Sequence, residues 1–122
     1  MDVKNKRVVV TGAASGIGKA LCEAFHQAEA KTVIAVDMNL EGAQDTADSV
    51  NGIAVQANVG NEEEIINVIQ KADEHAGGTY IFCSNAGIGG VPGFFEVGAS
   101  DWKNIWDVNV QSHIFAAKHV LP

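Results

Sequence analysis

Between Thr11 and Gly18 the chain reads Thr-Gly-Ala-Ala-Ser-Gly-Ile-Gly, and residues of that kind suit one task, holding an anion against bare backbone. Gly12, Gly16 and Gly18 lack the Cβ that would block tight turns and keep a ligand off the main chain. The run follows a β-branched stretch and opens an amphipathic one, so its amides face outward from a helix N-terminus, as a dinucleotide pyrophosphate requires. Ser15 and Ile17 are expected to meet the phosphates through hydroxyl or backbone. A nucleoside-triphosphate loop fits worse, because Gly18-Lys19 would need glycine in place of Ala13 and a hydroxyl residue in place of Ala20. Asp37 comes about 19 residues after Gly18, at the end of the next apolar run. There a carboxylate accepts hydrogen bonds from both hydroxyls of an adenine ribose, which favours NAD. The plain alternatives are a glycine turn without a ligand and an aspartate that only caps a helix.

These residues need a scaffold, and the pattern supplies one. Short β-branched runs alternate with helix-length amphipathic segments, which argues for βαβ units around a parallel sheet. Strands are expected at Arg7 to Thr11, Thr32 to Val36, Ile53 to Ala57 and Tyr80 to Cys83. Between them fall helices with apolar stripes at Ile17, Ala20, Leu21, Ala24, Phe25 and Ala28, then at Leu40, Ala43, Ala47 and Val50, then at Ile65, Ile69 and Ala72. Asn51-Gly52 ends the second helix, Asn61 caps the third and Gly77-Gly78 closes it. Residues 87 to 100, with five glycines and the internal proline, form a loop long enough to carry function. Ser100 or Asp101 is expected to cap one last helix running through Trp102, Ile105, Trp106, Asn109, Ile114, Ala117 and Leu121.

Composition narrows the function. With 122 residues, 47% of them apolar and 19% charged, the chain is one domain of ordinary globular make-up. Its net charge of -7 offers no basic face, so nucleic acid is not expected as a partner. Glu62, Glu63 and Glu64 read as the first turn of a helix, where carboxylates suit the dipole. No apolar stretch approaches the roughly 18 residues of a membrane span, and Met1 to Arg7 lead into only three valines rather than a signal core. A cytoplasmic protein without membrane contact is the expectation. Cys22 and Cys83 suit neither a zinc spacing nor a disulfide framework and read as buried, inert thiols. His113 and His119 lack metal-spaced partners, so no metal is expected.

Four motifs in order carry a family likeness over the whole chain. Thr-Gly-x-x-x-Gly-x-Gly from Thr11, Asn58-Val59, Ser84-Asn85-Ala86-Gly87 and Val108-Asn109 resemble the cofactor-binding and active-site segments of the short-chain dehydrogenase/reductase family. The resemblance implies an α/β fold, a Rossmann-type doubly wound parallel sheet of strand order 3-2-1-4 that is incomplete here. It implies NAD contacts from Gly12, Ser15, Gly16, Ile17, Gly18, Asp37, Asn58, Val59, Asn85, Ala86 and Gly87, with Asn109 as the one catalytic residue present. The activity implied is an oxidoreductase interconverting a small-molecule alcohol and a ketone or aldehyde, homo-oligomeric when complete through the last helix. Two positions depart from the family: Asn58 replaces an aspartate near the adenine, where its side-chain carbonyl can still accept a bond, and Ser84 replaces an asparagine. For Ser84, strand-end turn chemistry and cofactor contact are equal readings; Asn85 leans to the cofactor.

The family's serine and Tyr-x-x-x-Lys pair are not in these 122 residues, and the single tyrosine, Tyr80, has Ser84 four positions on. Residues 1–122 are therefore expected to be an NAD-binding Rossmann domain, truncated at its C-terminal side and inactive alone. Two further features fit: an edge strand carrying Ile81 and Phe82, and a last helix apolar around too much of its circumference. Val91, Phe94 and Phe95 are expected to line one wall of the substrate pocket. The rival is a non-catalytic NAD-binding regulatory module of the same fold.

Overall fold

The computed structural model describes residues 1–90 and 93–122. Strand β1 (Arg7–Thr11) leads through the glycine loop into helix α1 (Gly16–Gln27), followed by β2 (Thr32–Asp37), α2 (Leu40–Ser49), β3 (Ile53–Gln56), α3 (Glu62–Ala76) and β4 (Ile81–Cys83). The four strands are parallel in the order β3-β2-β1-β4, as the sequence implied. Val8, Val9 and Val10 of the central strand pair with Val33, Ile34 and Ala35 on one side and with Ile81, Phe82 and Cys83 on the other.

Both faces of the sheet are covered, which is why its strands are apolar without alternation. Val8, Val10, Val33 and Ala35 pack with Cys22 of α1 and Ala47 of α2. Val9, Ile34, Val36 and Val55 face the other way, onto Val68 and Ala72 of α3. Val59, Ile65 and Val108 join α3 to the chain's last helical stretch. Cys22 is fully buried and burial pushes its thiol pKa up to about 11; Cys83, packed against the same cluster, is pushed up too. Both thiols stay protonated at neutral pH; Cys22 is buried as expected, whereas Cys83 is only half-buried.

Local signals place the helix ends. The Asn61 side chain accepts from the amides of Glu63 and Glu64, and Gly77 closes α3 at φ +79°. Three expectations need correction. On α1 the inward stripe is Gly18, Leu21, Cys22 and Phe25, while Ile17, Ala20, Ala24 and Ala28 face out. The last helix is capped by Gly98 rather than by Ser100 or Asp101; the Asp101 carboxylate instead accepts the Gly98 N–H at 2.9 Å. That helix is also not continuous: α4 (Ala99–Trp106) passes through a wide π turn, Asp107–Gln111, into α5 (Ser112–Val120). In this turn the Ser112 amide bonds Asp107 instead of Val108, its α-helical partner. The buried Ser112 hydroxyl takes the Val108 carbonyl at 2.6 Å.

Candidate cofactor-binding site

The carboxyl ends of β1, β2, β3 and β4 open onto a cavity of about 450 Å³. Gly12, Ser15, Gly16, Ile17, Gly18, Asp37, Asn58, Val59, Asn85, Ala86 and Gly87 all line it, joined by Met38, Ala57, Ile88 and Val108. The site lies where an open parallel sheet receives its ligand, outside the strand ends.

The three loop glycines do different work. A Cβ at Gly18 would stand 2.0 Å from the Gly12 carbonyl oxygen, and one at Gly12 would stand 2.9 Å from the Ala86 Cα. These two allow α1, β1 and the segment after β4 to close together. Gly16, at φ +55°, has no atom within 4 Å of its missing Cβ. It leaves room for a ligand at the start of α1, whose first turn holds no acidic residue to oppose an anion. Ile17 is 73% exposed, and Ser15 caps the helix without a side-chain bond, so its hydroxyl is left to the cavity side.

Thr11 ties β1 to the segment after β4. Its hydroxyl donates to the Cys83 carbonyl at 3.3 Å and accepts from the amides of Asn85 and Ala86 at 2.9 and 3.0 Å. The Asn85 side-chain amide returns a bond to the Thr11 carbonyl at 3.0 Å. Sequence reasoning gave Thr11 no role, although a hydroxyl at a strand end just before a glycine turn was the available signal. Met38, Ala57, Ile88 and Val108 were not expected as cofactor contacts, being apolar residues that tertiary folding brings to the wall.

Asp37 holds the opposite end. Oδ2 accepts from the Ala14 amide and Oδ1 from the Asn39 amide, each at 3.0 Å. Each oxygen keeps one acceptor position free. Asn58 is held similarly, its Oδ1 accepting the Gly60 N–H at 2.9 Å and its own amide donating to Glu64.

Asn109 is not a cavity residue. Its Oδ1 accepts the Ile88 amide and its Nδ2 donates to the Ile88 carbonyl, both at 2.9 Å, so its side chain secures the backbone after Gly87. Ser84 also stays outside: its hydroxyl pairs with His113 Nδ1 at 2.6 Å, a partner that neither sequence reading supplied. Phe94 and Phe95 do not line the cavity either. They are 79% and 97% exposed and meet edge to face. Val91 lies outside the described residues. Among the described residues no cluster of His, Cys, Asp or Glu could hold a metal ion, and no helix is long and apolar enough to cross a membrane.

Residues 6–122 match the short chain dehydrogenase family. The chain belongs to that family. It is 33% identical to Glucose 1-dehydrogenase 2 of Bacillus subtilis over 98% of its own length and 49% of that protein's. A short-chain dehydrogenase/reductase of the glucose/ribitol dehydrogenase type from Brucella melitensis superposes with a TM-score of 0.91 at 27% identity, over all of this chain and 53% of that one. A short chain dehydrogenase/reductase from Burkholderia phymatum, solved in complex with NAD, superposes with a TM-score of 0.94 at 25% identity, over all of this chain and 45% of that one. This short-chain dehydrogenase chain thus spans about half the length of the relatives it matches.

Proposed function

We propose that residues 1–122 form the NAD-binding domain of a cytoplasmic oxidoreductase that interconverts an alcohol and a ketone or aldehyde. The observation that carries the reading is the one cavity that Gly16, Asp37, Asn58 and Asn85 line together at the sheet's carboxyl edge. The residues fit the cofactor: open space at Gly16 and the acid-free start of α1 suit the pyrophosphate. Asp37 suits the adenine ribose, and Asn58 and Val59 the adenine. Bound there, NAD would supply the hydride acceptor. The protein's own part is to orient it and to keep the loop after Gly87 in place.

Asp37 is the only charged residue among the described residues lining the cavity, which supports NAD over NADP. Asn109 serves as a positioning residue through Ile88. Proton transfer in this family calls for a Tyr-x-x-x-Lys pair that these residues do not hold, and Tyr80, just before β4, is exposed with Lys6 over its ring.

The test is to supply the whole natural protein with NAD and a panel of small alcohols, including polyols, and follow NADH absorbance. Reduction of NAD is expected. A protein that binds NAD tightly and reduces none of it would favour the regulatory-module reading.

A further inference from the structure

We infer that Thr46, on α2 and outside the cavity, is a positioning residue for cofactor binding. With Asp37 it clamps the peptide joining Ala13 to Ala14 on both edges and so sets the shape of the glycine loop. The inference rests on the cofactor reading above and adds to it a residue that touches no ligand.

Thr46 and Ala13 are both fully buried, and the Thr46 hydroxyl donates to the Ala13 carbonyl at 2.8 Å. On the other edge of the same peptide, the Ala14 N–H donates to Asp37 Oδ2 at 3.0 Å. A carbonyl and the following N–H share one rigid plane, so two bonds pulling on opposite edges resist its rotation. One residue earlier, the Ala13 N–H is already fixed to the Val36 carbonyl at 3.0 Å.

The clamp sits where the loop most needs one. Gly12 at φ +71° and Gly16 at φ +55° flank it, and glycine gives up more conformational freedom on ordering than any other residue. A loop ordered before the ligand arrives spares binding that cost. Helix α2 is also seated against the loop at a second point, for a Cβ on Gly42 would stand 2.7 Å from the Ala14 Cβ. A mid-helix threonine commonly turns its hydroxyl back to its own helix. Thr46 spends it on the loop instead, linking the ribose end of the site to the pyrophosphate end.

The whole protein is titrated with NAD, ADP and adenosine, unmodified and as Thr46→Val and Thr46→Ser. The valine variant is expected to bind NAD and ADP roughly five- to tenfold more weakly, the range for one lost buried bond. Adenosine affinity should change less than ADP affinity, and serine should restore most of the loss. A cooperatively melting valine variant with unmodified NAD affinity overturns the inference. So does one that loses adenosine as steeply as ADP, which marks a merely structural role. An unmodified protein that binds neither NAD nor ADP overturns the cofactor reading itself. Amide exchange on the unliganded, unmodified protein reads the clamp without any variant: the Ala14 amide should exchange far more slowly than that of Ser15, and equal rates overturn it.

Discussion

Asp37 Oδ2 accepts the Ala14 N–H at 3.0 Å, so the carboxylate assigned to the ribose is also an anchor of the phosphate loop. Replacing it removes two functions at once. Asp37→Ala is expected to narrow the NAD-to-NADP preference mainly by weakening NAD, by roughly 10- to 100-fold, the range for lost bonds to a charged group. Calorimetric titration checks this. A variant that keeps full NAD affinity would show that the anchor does not matter.

Gly18 and Gly16 should respond oppositely to alanine. A Cβ at position 18 collides with backbone at 2.0 Å, so Gly18→Ala should destabilise the fold by about 1–3 kcal/mol, as overpacking does, and abolish NAD binding. Gly16→Ala meets open space and costs only left-handed backbone strain of roughly 1–2 kcal/mol, while its methyl group would intrude on the proposed phosphate position. It should fold and bind NAD poorly. Thermal melts paired with titrations separate the two cases, and equal NAD affinity for Gly16→Ala and the unmodified protein would remove the phosphate from that position.

Acid should loosen the junction of α3 and α5. Glu62 accepts from Lys118 at 2.7 Å and His119 at 2.9 Å, and these bonds, Lys118 first, hold its pKa below the ordinary 4.5. A carboxylate depressed in the folded state stabilises it fully above its unfolded pKa and loses that contribution as pH falls through the folded value. Protection of the α5 amides, measured against their intrinsic exchange rate at each pH, should therefore fall below about pH 4.5, and Glu62→Gln should flatten that dependence. An identical pH profile in the variant would show that the contact contributes nothing.

The 122-residue chain on its own should oxidise no NADH with any ketone above a buffer control. General acid/base assistance, worth about 100- to 10,000-fold, would come from the family's Tyr-x-x-x-Lys pair, which these 122 residues lack. The same chain should self-associate, because Trp102, Trp106, Ile114 and Leu121 are all more than half exposed along its last helices. Measurable turnover, or a monodisperse monomer at high concentration in light scattering, would contradict these expectations.

What the sequence made legible was local. The strands, the Asn61 cap and the Gly77 stop depend on residues a few positions apart, and the glycine loop announces its own backbone. The apolar stripe read on α1 is too wide, because Ile17 and the alanines look as apolar as Leu21, Cys22 and Phe25, and only the sheet decides which of them turn inward. The π turn at Asp107–Gln111, which the Ser112 hydroxyl follows with a bond back to Val108, has no local signature in the sequence, and Asn109 faces a loop 21 residues away. The role of Thr46 is invisible in one dimension, since its partner lies on a loop 33 residues away, whereas Thr11 left only the hint of a hydroxyl at a strand end before a glycine turn. Phe94 and Phe95 stand exposed and away from the cofactor cavity, and a substrate-pocket wall there would need facing walls that these 122 residues do not supply.

The most direct test of the account is to titrate the unmodified whole protein with NAD and NADP under identical conditions. A ribose 2′-phosphate about 4 Å from the Asp37 carboxylate would be opposed by roughly 4 kcal/mol per like-charged pair at an effective dielectric near 20, before ionic screening. Even a third of that is about tenfold in affinity, and no lysine or arginine lines the cavity among the described residues to offset it. NAD should bind at least roughly tenfold more tightly than NADP; equal or tighter binding of NADP would contradict the assignment of Asp37 and of the cofactor.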